Sequence, residues 1–537
     1  MPRARAKGNR PARLTRLAFE GIALGVAGAD LRLRIALARR VARDVGLAWR
    51  VVPIAERART VLLVPGPRTR RPTVARAWEI AHQLRAHRDV IFAEPAFVMP
   101  GEGPFAPRTA RGAVSSETPL PGTEDCEWAL DLCRVPQAWS LTPPGGGSAF
   151  GEGIVIAHPD TGWTAHPELA NTAMDGANAF DFVAGVSGAL DPLAAPNPGH
   201  GTSTASVIAS DANAASSPFV SGVAPLATLM PLRVSSSVVH FSWLRLTAAV
   251  WHAIDRKAHV VSMSLGGPLP SQALEEALDA AIDAGVIVVA AAGNQWPFVV
   301  YPARYDQAIA CAAINIRGQR WAGSASGHDV DIAAPGESVW RARSTRTGFG
   351  VDRSSGTSYA TAHVAGIAAL WLAHHGRANL VAKYGRGGVP AVFKELLATA
   401  GVAGTASSWP DDVLGAGIVN AQALLAAALP ARPHAAGMHM RAGRRSVPAN
   451  PLDRLAAYFP GVDPDRLGGW LAREFGVSKS ALPARLASLS DEVAFHLTAD
   501  PTAYAAVARA LLRRSAVPPA SRLLFRRASP TLRRALA

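Results

Sequence analysis

The chain of 537 residues holds only three cysteines, Cys126, Cys133 and Cys311. At most one bridge could join two of them. A disulfide framework is therefore excluded, and thiols buried as small apolar groups are the simpler reading. No uninterrupted apolar run reaches the roughly 18 residues of a transmembrane helix, so no membrane span is expected. The 48 glycines and 41 prolines follow no period, which excludes collagen-like and low-complexity chains. No repeat of the solenoid kind is present. Lysine is scarce, confined to Lys7, Lys257, Lys383, Lys394 and Lys479, so arginine carries the positive charge. The formal net charge of +15 comes without aromatic-interleaved basic motifs or zinc-ligand spacing, and nucleic-acid binding is not expected. What is present is an apolar content of 49% with 18% charged residues, enough to bury the cores of about two to four domains.

The charge is unevenly spread. Residues 1–120 carry a net +13 and residues 430–537 a net +10, whereas 121–429 carry −8. Opposite fields of this kind can steer one part of a chain onto another. Met1–Arg16 is strongly basic, and Leu17–Ala29 is apolar apart from Glu20, ending in Ala27-Gly28-Ala29. Residues 1–44 are read as a basic tail or helix, with a cytoplasmic location; a secretory signal is the alternative, and with it a secreted protein. Residues 45–100 alternate short strands and helices, as in a small α+β module. Residues 101–124 form a Gly/Pro/Ser/Thr-rich linker. Residues 125–428 alternate apolar strand-like runs with helices, the pattern of an α/β fold with a doubly wound, mostly parallel sheet. A second linker spans 429–450, and 451–537 reads as a small helical module with a basic tail.

Four local patterns in the middle segment carry chemistry. A strand ends in Asp160. Gly199-His200-Gly201 opens a helix. Another strand ends at Gly293-Asn294. Gly356-Thr357-Ser358 opens a helix of small residues. A serine hydroxyl becomes a nucleophile when a base takes its proton. A neutral histidine can do so, and a carboxylate on its other nitrogen fixes the tautomer. Asp160, His200 and Ser358 supply those groups. The Asn294 amide and the Ser358 N–H can donate to an oxyanion. Each piece alone is commonplace; the joint pattern, each at the edge of a parallel sheet, is specific.

In that order, Asp then His then Ser, the chain resembles the subtilisin-like serine peptidases. The resemblance covers about 125–428. It extends to Trp128-Ala129-Leu130, Gly222–Pro225, Met263–Pro268, Tyr301-Pro302-Ala303, Ala334-Pro335-Gly336 and Gly415–Asn420. It implies a serine endopeptidase acting on polypeptide substrates through an acyl-enzyme, with no required cofactor. Calcium is common in the family, but no ligand set is assigned here. It implies that Ser264, Leu265 and Gly266 pair with the substrate backbone and line its primary side-chain pocket. Two positions depart from the family pattern, Tyr359 in place of Met and Ala362 in place of Pro. The loop from Asn294 to Tyr301 is short and carries Trp296 and Phe298, which leaves the depth of the pocket open; an apolar side-chain preference is still expected. His363 is assigned to packing, and His158, His166, His374 and His375 to surface or local structure. Val90–Val98 is similar to the end of a subtilisin propeptide, implying an intramolecular inhibitor cleaved within about 98–120; a permanent accessory domain is the alternative. The C-terminal helices are read as a site for a protein partner. Two other readings compete: a catalytically silent peptide-binding scaffold, and added nucleic-acid binding by the basic flanks.

Overall fold

The computed structural model describes residues 17–98, 119–194, 196–211, 218–402, 409–431, 450–513, 515, 517 and 525–536. Most of both linkers, the first 16 residues and part of the basic tail lie outside them.

The first unit is a four-stranded antiparallel sheet in the order β2-β3-β1-β4, carrying two helices. Its elements are β1 (Ala18–Val26), α1 (Leu31–Asp44), β2 (Arg50–Pro53), β3 (Thr60–Val64), α2 (Val74–Arg85) and β4 (Val90–Val98). Asp30 and Thr73 cap the helices by accepting from Leu33 N–H and Arg76 N–H. Ile22, Leu24, Leu63, Ala81 and Leu84 fill the core between sheet and helices. This corrects the expected division at residue 44. The apolar run after Leu17 is a strand paired with both β3 and β4, and α1 packs on the same sheet. A strand buried on both faces reads as a continuous apolar run, which is why it resembled a helix or a signal core.

The second unit holds α3 (Trp128–Leu132), α4 (Val135–Trp139), β5 (Val155–Asp160), β6 (Phe180–Asp181), β7 (Val186–Ser187), α5 (His200–Ala209), β8 (Thr228–Arg233), α6 (Leu244–Asp255), β9 (Val260–Met263), α7 (Gln272–Asp283), β10 (Ile287–Ala291), β11 (Ala308–Ile314), β12 (Ile332–Pro335), a hairpin of β13 (Val339–Thr345) and β14 (Gly348–Ser354), and α8 (Thr357–His374). The main sheet runs β12-β11-β10-β9-β5-β8-β6-β7, parallel except for the β6–β7 pair. The doubly wound, mostly parallel fold is as expected. α8 and α5 cover one face; α6 and α7 cover the other. α9 (Arg377–Tyr384), α10 (Gly388–Thr399), α11 (Asp411–Leu414) and α12 (Ala421–Ala426) complete the unit. The chain passes from β5 to β8 on one side and returns to β9 on the other. The carboxyl end of β5 is therefore a topological switch point, where open α/β sheets bind ligands.

The third unit contains α13 (Pro451–Ala456), α14 (Pro464–Glu474), α15 (Leu482–Leu486), α16 (Ser490–Ala499), α17 (Pro501–Leu512) and α18 (Pro530–Leu536). The helical module expected over 451–537 is present, but nothing in its sequence marks α16 as a separate helix. Nearly every α16 residue is buried, so its sequence lacks the polar stripe that marks a surface helix. Among the described residues no helix is long and apolar enough to cross a membrane.

Candidate active site

Asp160 closes β5, Asn294 follows β10, and Ser264–Gly266 follow β9, so all three lie at carboxyl ends of the parallel sheet. His200 and Ser358 open α5 and α8. The Asp160 Oδ1 lies 2.8 Å from His200 Nδ1, and His200 Nε2 lies 3.1 Å from Ser358 Oγ. Thr161 N–H donates to the same Oδ1 at 2.7 Å. Burial opposes ionisation of Asp160, but the field and hydrogen bond of His200 prevail and hold its pKa below the usual carboxylate value. With Asp160 accepting from Nδ1–H, Nε2 is left as the acceptor facing Ser358.

The helix start bearing His200 needs glycine on both sides. Gly199 has φ +71°, and a Cβ on Gly201 would fall 2.0 Å from the Gly162 carbonyl oxygen. Asp191 and Thr161 stitch the two segments together. Thr161 Oγ donates to Asp191 Oδ2 at 2.7 Å and accepts from Gly201 N–H at 3.0 Å; Gly199 N–H donates to Asp191 Oδ2 at 2.9 Å. Neither residue was singled out from the sequence. Thr161 follows Asp160 directly and could have been, but Asp191 sits in a stretch that reads as loop.

Asn294 is oriented by Thr357, whose N–H and Oγ–H both donate to Asn294 Oδ1, at 2.9 and 2.8 Å. That leaves Nδ2 as the outward donor. The Ser358 N–H lies in the first turn of α8, where helix amides have no intrahelical acceptor. Asn294 and Ser358 thus offer two donors beside one hydroxyl.

Ser264 touches the nucleophile candidate directly: its Oγ–H donates to Ser358 O at 3.0 Å, and its carbonyl lies 3.3 Å from Ser358 Oγ. Leu265 is buried. Gly266 N–H donates to Val238 O and Gly266 O accepts from His240 N–H, each at 2.8 Å, so both its backbone groups are engaged by the neighbouring segment. Beyond these residues β9 and β10 diverge, and Val300-Tyr301 threads between them. Val300 N–H donates to Ala292 O, and Tyr301 and Gly267 exchange both backbone hydrogen bonds, each at 2.9 Å. A Cβ on Gly266 would fall 2.4 Å from Val300 Cγ2, and one on Gly293 would fall 3.1 Å from both Val300 methyls. The Val300 side chain therefore occupies the slot between these two backbone walls. Trp296 and Phe298 instead pack on each other at a tilt, with Phe298 against Tyr458 of the third unit.

The histidines set aside from chemistry in the sequence make local contacts. His363 is buried with Nδ1 2.7 Å from Tyr359 O, consistent with packing. His158, His166, His374 and His375 are all buried, which removes the surface alternative and leaves local structure. His158 Nε2 lies 2.9 Å from Thr204 Oγ, behind Asp160; burial lowers its pKa, against the pull of that carboxylate. Among the described residues no group of three or more His, Cys, Asp or Glu side chains could hold a metal ion.

The sequence profile of the subtilase family matches residues 151–408. Thermitase of Thermoactinomyces vulgaris is 37% identical over 246 residues, covering 45% of this chain and 81% of thermitase. Subtilisin E of Bacillus subtilis is 41% identical over 183 residues, covering 33% of this chain and 46% of that protein. The crystal structure of fervidolysin from Fervidobacterium pennivorans, described as a keratinolytic enzyme related to subtilisin, superposes with a TM-score of 0.56. It is 22% identical and covers 79% of this chain and 62% of that chain, a likeness of fold.

Proposed function

The chain belongs to the subtilase family of serine endopeptidases, and we propose that it hydrolyses polypeptides through an acyl-enzyme formed on Ser358. The observation that carries this reading is the unbroken contact series from Asp160 through His200 to Ser358, at 2.8 and 3.1 Å. His200 Nε2 takes the hydroxyl proton as Ser358 Oγ attacks the peptide carbonyl carbon. The carbonyl electrons move to oxygen, where Asn294 Nδ2–H and Ser358 N–H donate. His200 then gives its proton to the leaving amine and the C–N bond breaks. Water attacks the ester while His200 accepts its proton, and Ser358 regains its hydrogen as the acid departs. Asp160 stays ionised throughout and steadies the imidazolium.

Ser264, Leu265 and Gly266 form the edge for an extended substrate, which must part Gly266 from Val238 and His240 to pair there. With Val300 between Gly266 and Gly293, the acyl-side residue next to the scissile bond is small, which narrows the expected apolar preference. No cofactor enters any step.

The N-terminal unit is proposed as the intramolecular inhibitor of a precursor. It sits on α6 and α7. Glu94 accepts from Ser271 Oγ–H and Gln272 N–H at the start of α7, at 2.8 and 2.7 Å, and Glu276 accepts from Arg59 N–H and Thr60 Oγ–H at 2.6 and 2.8 Å. Phe97 near the end of β4 shares a core with Phe241, and Val239 and Leu269 pack against it beside the Gly266 edge. The ion pairs run both ways, Arg57 with Asp255 and Glu20 with Arg245, so the net-charge contrast is only part of the attraction. Ser358→Ala is expected to abolish hydrolysis of denatured casein while leaving the fold intact; turnover that survived this change would refute the assignment.

A further inference from the structure

We propose that the C-terminal helical unit is an internal clamp, anchored on the peptidase unit, that holds the N-terminal unit in place. Its occupant is thus a segment of this same chain, where the sequence suggested a separate protein partner. The inference rests on the reading of the N-terminal unit as an inhibitor only for its consequence; the clamp itself rests on contacts.

One face of the C-terminal unit grips α2 and β4. Phe495 of α16 is almost fully buried, with its ring centroid 5.7 Å from Trp78 and 5.2 Å from Phe97. Glu492, one helical turn earlier, has a fully buried carboxylate shared between the units. His82 Nε2 of α2 lies 2.7 Å from it and His496 Nε2 3.3 Å, while Ser529 donates its N–H at 2.6 Å and its Oγ–H at 2.8 Å. Arg85 pairs with Asp491 at 3.2 Å while its Nε–H donates to Ala93 O in β4 at 2.8 Å. Thr531 N–H, at the start of α18, donates to Glu79 Oε2 of α2 at 2.9 Å. A buried carboxylate with partners from both units is costly to expose on either side alone.

The opposite face is fixed to the peptidase unit. Phe298 stands perpendicular to Tyr458 at 5.2 Å, and the Arg304 guanidinium lies 5.6 Å from the ring centroids of both Tyr301 and Tyr458. The hydrophobic core of α6 and α7 continues into Leu455, Phe459, Leu471 and Val493 of the C-terminal unit. The N-terminal unit therefore has two independent seats, α6/α7 and α16/α18. Two seats on one rigid support act together, so departure requires both to open at once. Cutting the connection to the peptidase unit would not by itself free the inhibitor.

The test uses the full chain with Ser358→Ala, which requires no catalysis. Amide exchange of α2 and β4 is compared with and without Phe495→Asp. Exchange there is expected to become about tenfold faster or more, while β9–β11 keep their protection. His82→Ala leaves the C-terminal unit's own sequence untouched and is expected to act in the same direction. With Ser358 present, both variants should shorten the lag before hydrolysis begins and leave the final rate unchanged. Unchanged protection of α2 and β4 in both variants would overturn the clamp. Faster exchange without any hydrolysis in the Ser358 chain would instead leave the clamp standing and count against the peptidase reading.

Discussion

At the scale of single residues, Val300 is, on the proposed reading, the main determinant of what the site accepts. It is almost fully buried, and its methyls lie where Gly266 and Gly293 would otherwise face each other across an open slot. Removing the side chain frees volume beside the acylation site. Val300→Gly is expected to shift the kcat/KM ratio of peptides with Phe against Ala at the acyl position by about ten- to hundredfold toward Phe. Paired chromogenic peptides measure this, and a ratio that does not move would place the side-chain slot elsewhere. Asp160, His200, Asn294 and Ser358 were legible in the sequence because each sits at a strand end or helix start flanked by small residues. Asp191, Thr357 and Val300 were not, and Thr161 only through its place beside Asp160. Their roles come from contacts between segments distant in sequence, and nothing local distinguishes Val300 from a core valine.

At the scale of elements, β1 and α16 were missed for one reason: an element buried on most sides carries no amphipathic period. The alternation of apolar strands and helices over 125–428, and with it the parallel sheet, was readable. The docking of β4 on α7 brings a titration with it. Burial raises the Glu94 pKa from 4.5 to about 7, more than its hydrogen bonds to Gln272 and Ser271 lower it. The docked form thus holds a proton that the undocked form releases. Its contribution to docking is full below about pH 4.5 and is lost as the pH rises through about 7. Glu492 has the opposite sign. Burial opposes its charge, but hydrogen bonds from His496, His82 and Ser529 bring its pKa down to about 2, so its contribution is lost only as the pH falls below 4.5. Exchange protection of β4 in the Ser358→Ala chain is therefore expected to weaken from pH 5 to pH 8, and Glu94→Gln should flatten that slope. A slope that persists unchanged in the variant would assign the effect to other groups.

At the scale of the whole molecule, the chain is a parallel α/β unit held between two terminal units that also touch each other. The basic flanks foreshadowed contact with the acidic middle, yet the contacts are mainly buried aromatic rings and carboxylates at specific partners. Charge totals do not encode such pairing, so the bridge between the terminal units was not visible in the sequence. The proposed peptidase activity depends on the hydroxyl of Ser358 being the activated one. Treating the hydrolytically active chain with a serine-directed phosphonylating reagent and mapping the adduct by mass spectrometry reads this directly. A single adduct on Ser358, with parallel loss of hydrolysis, is the expected result; an adduct on another residue, or hydrolysis that continues with Ser358 fully modified, would contradict it.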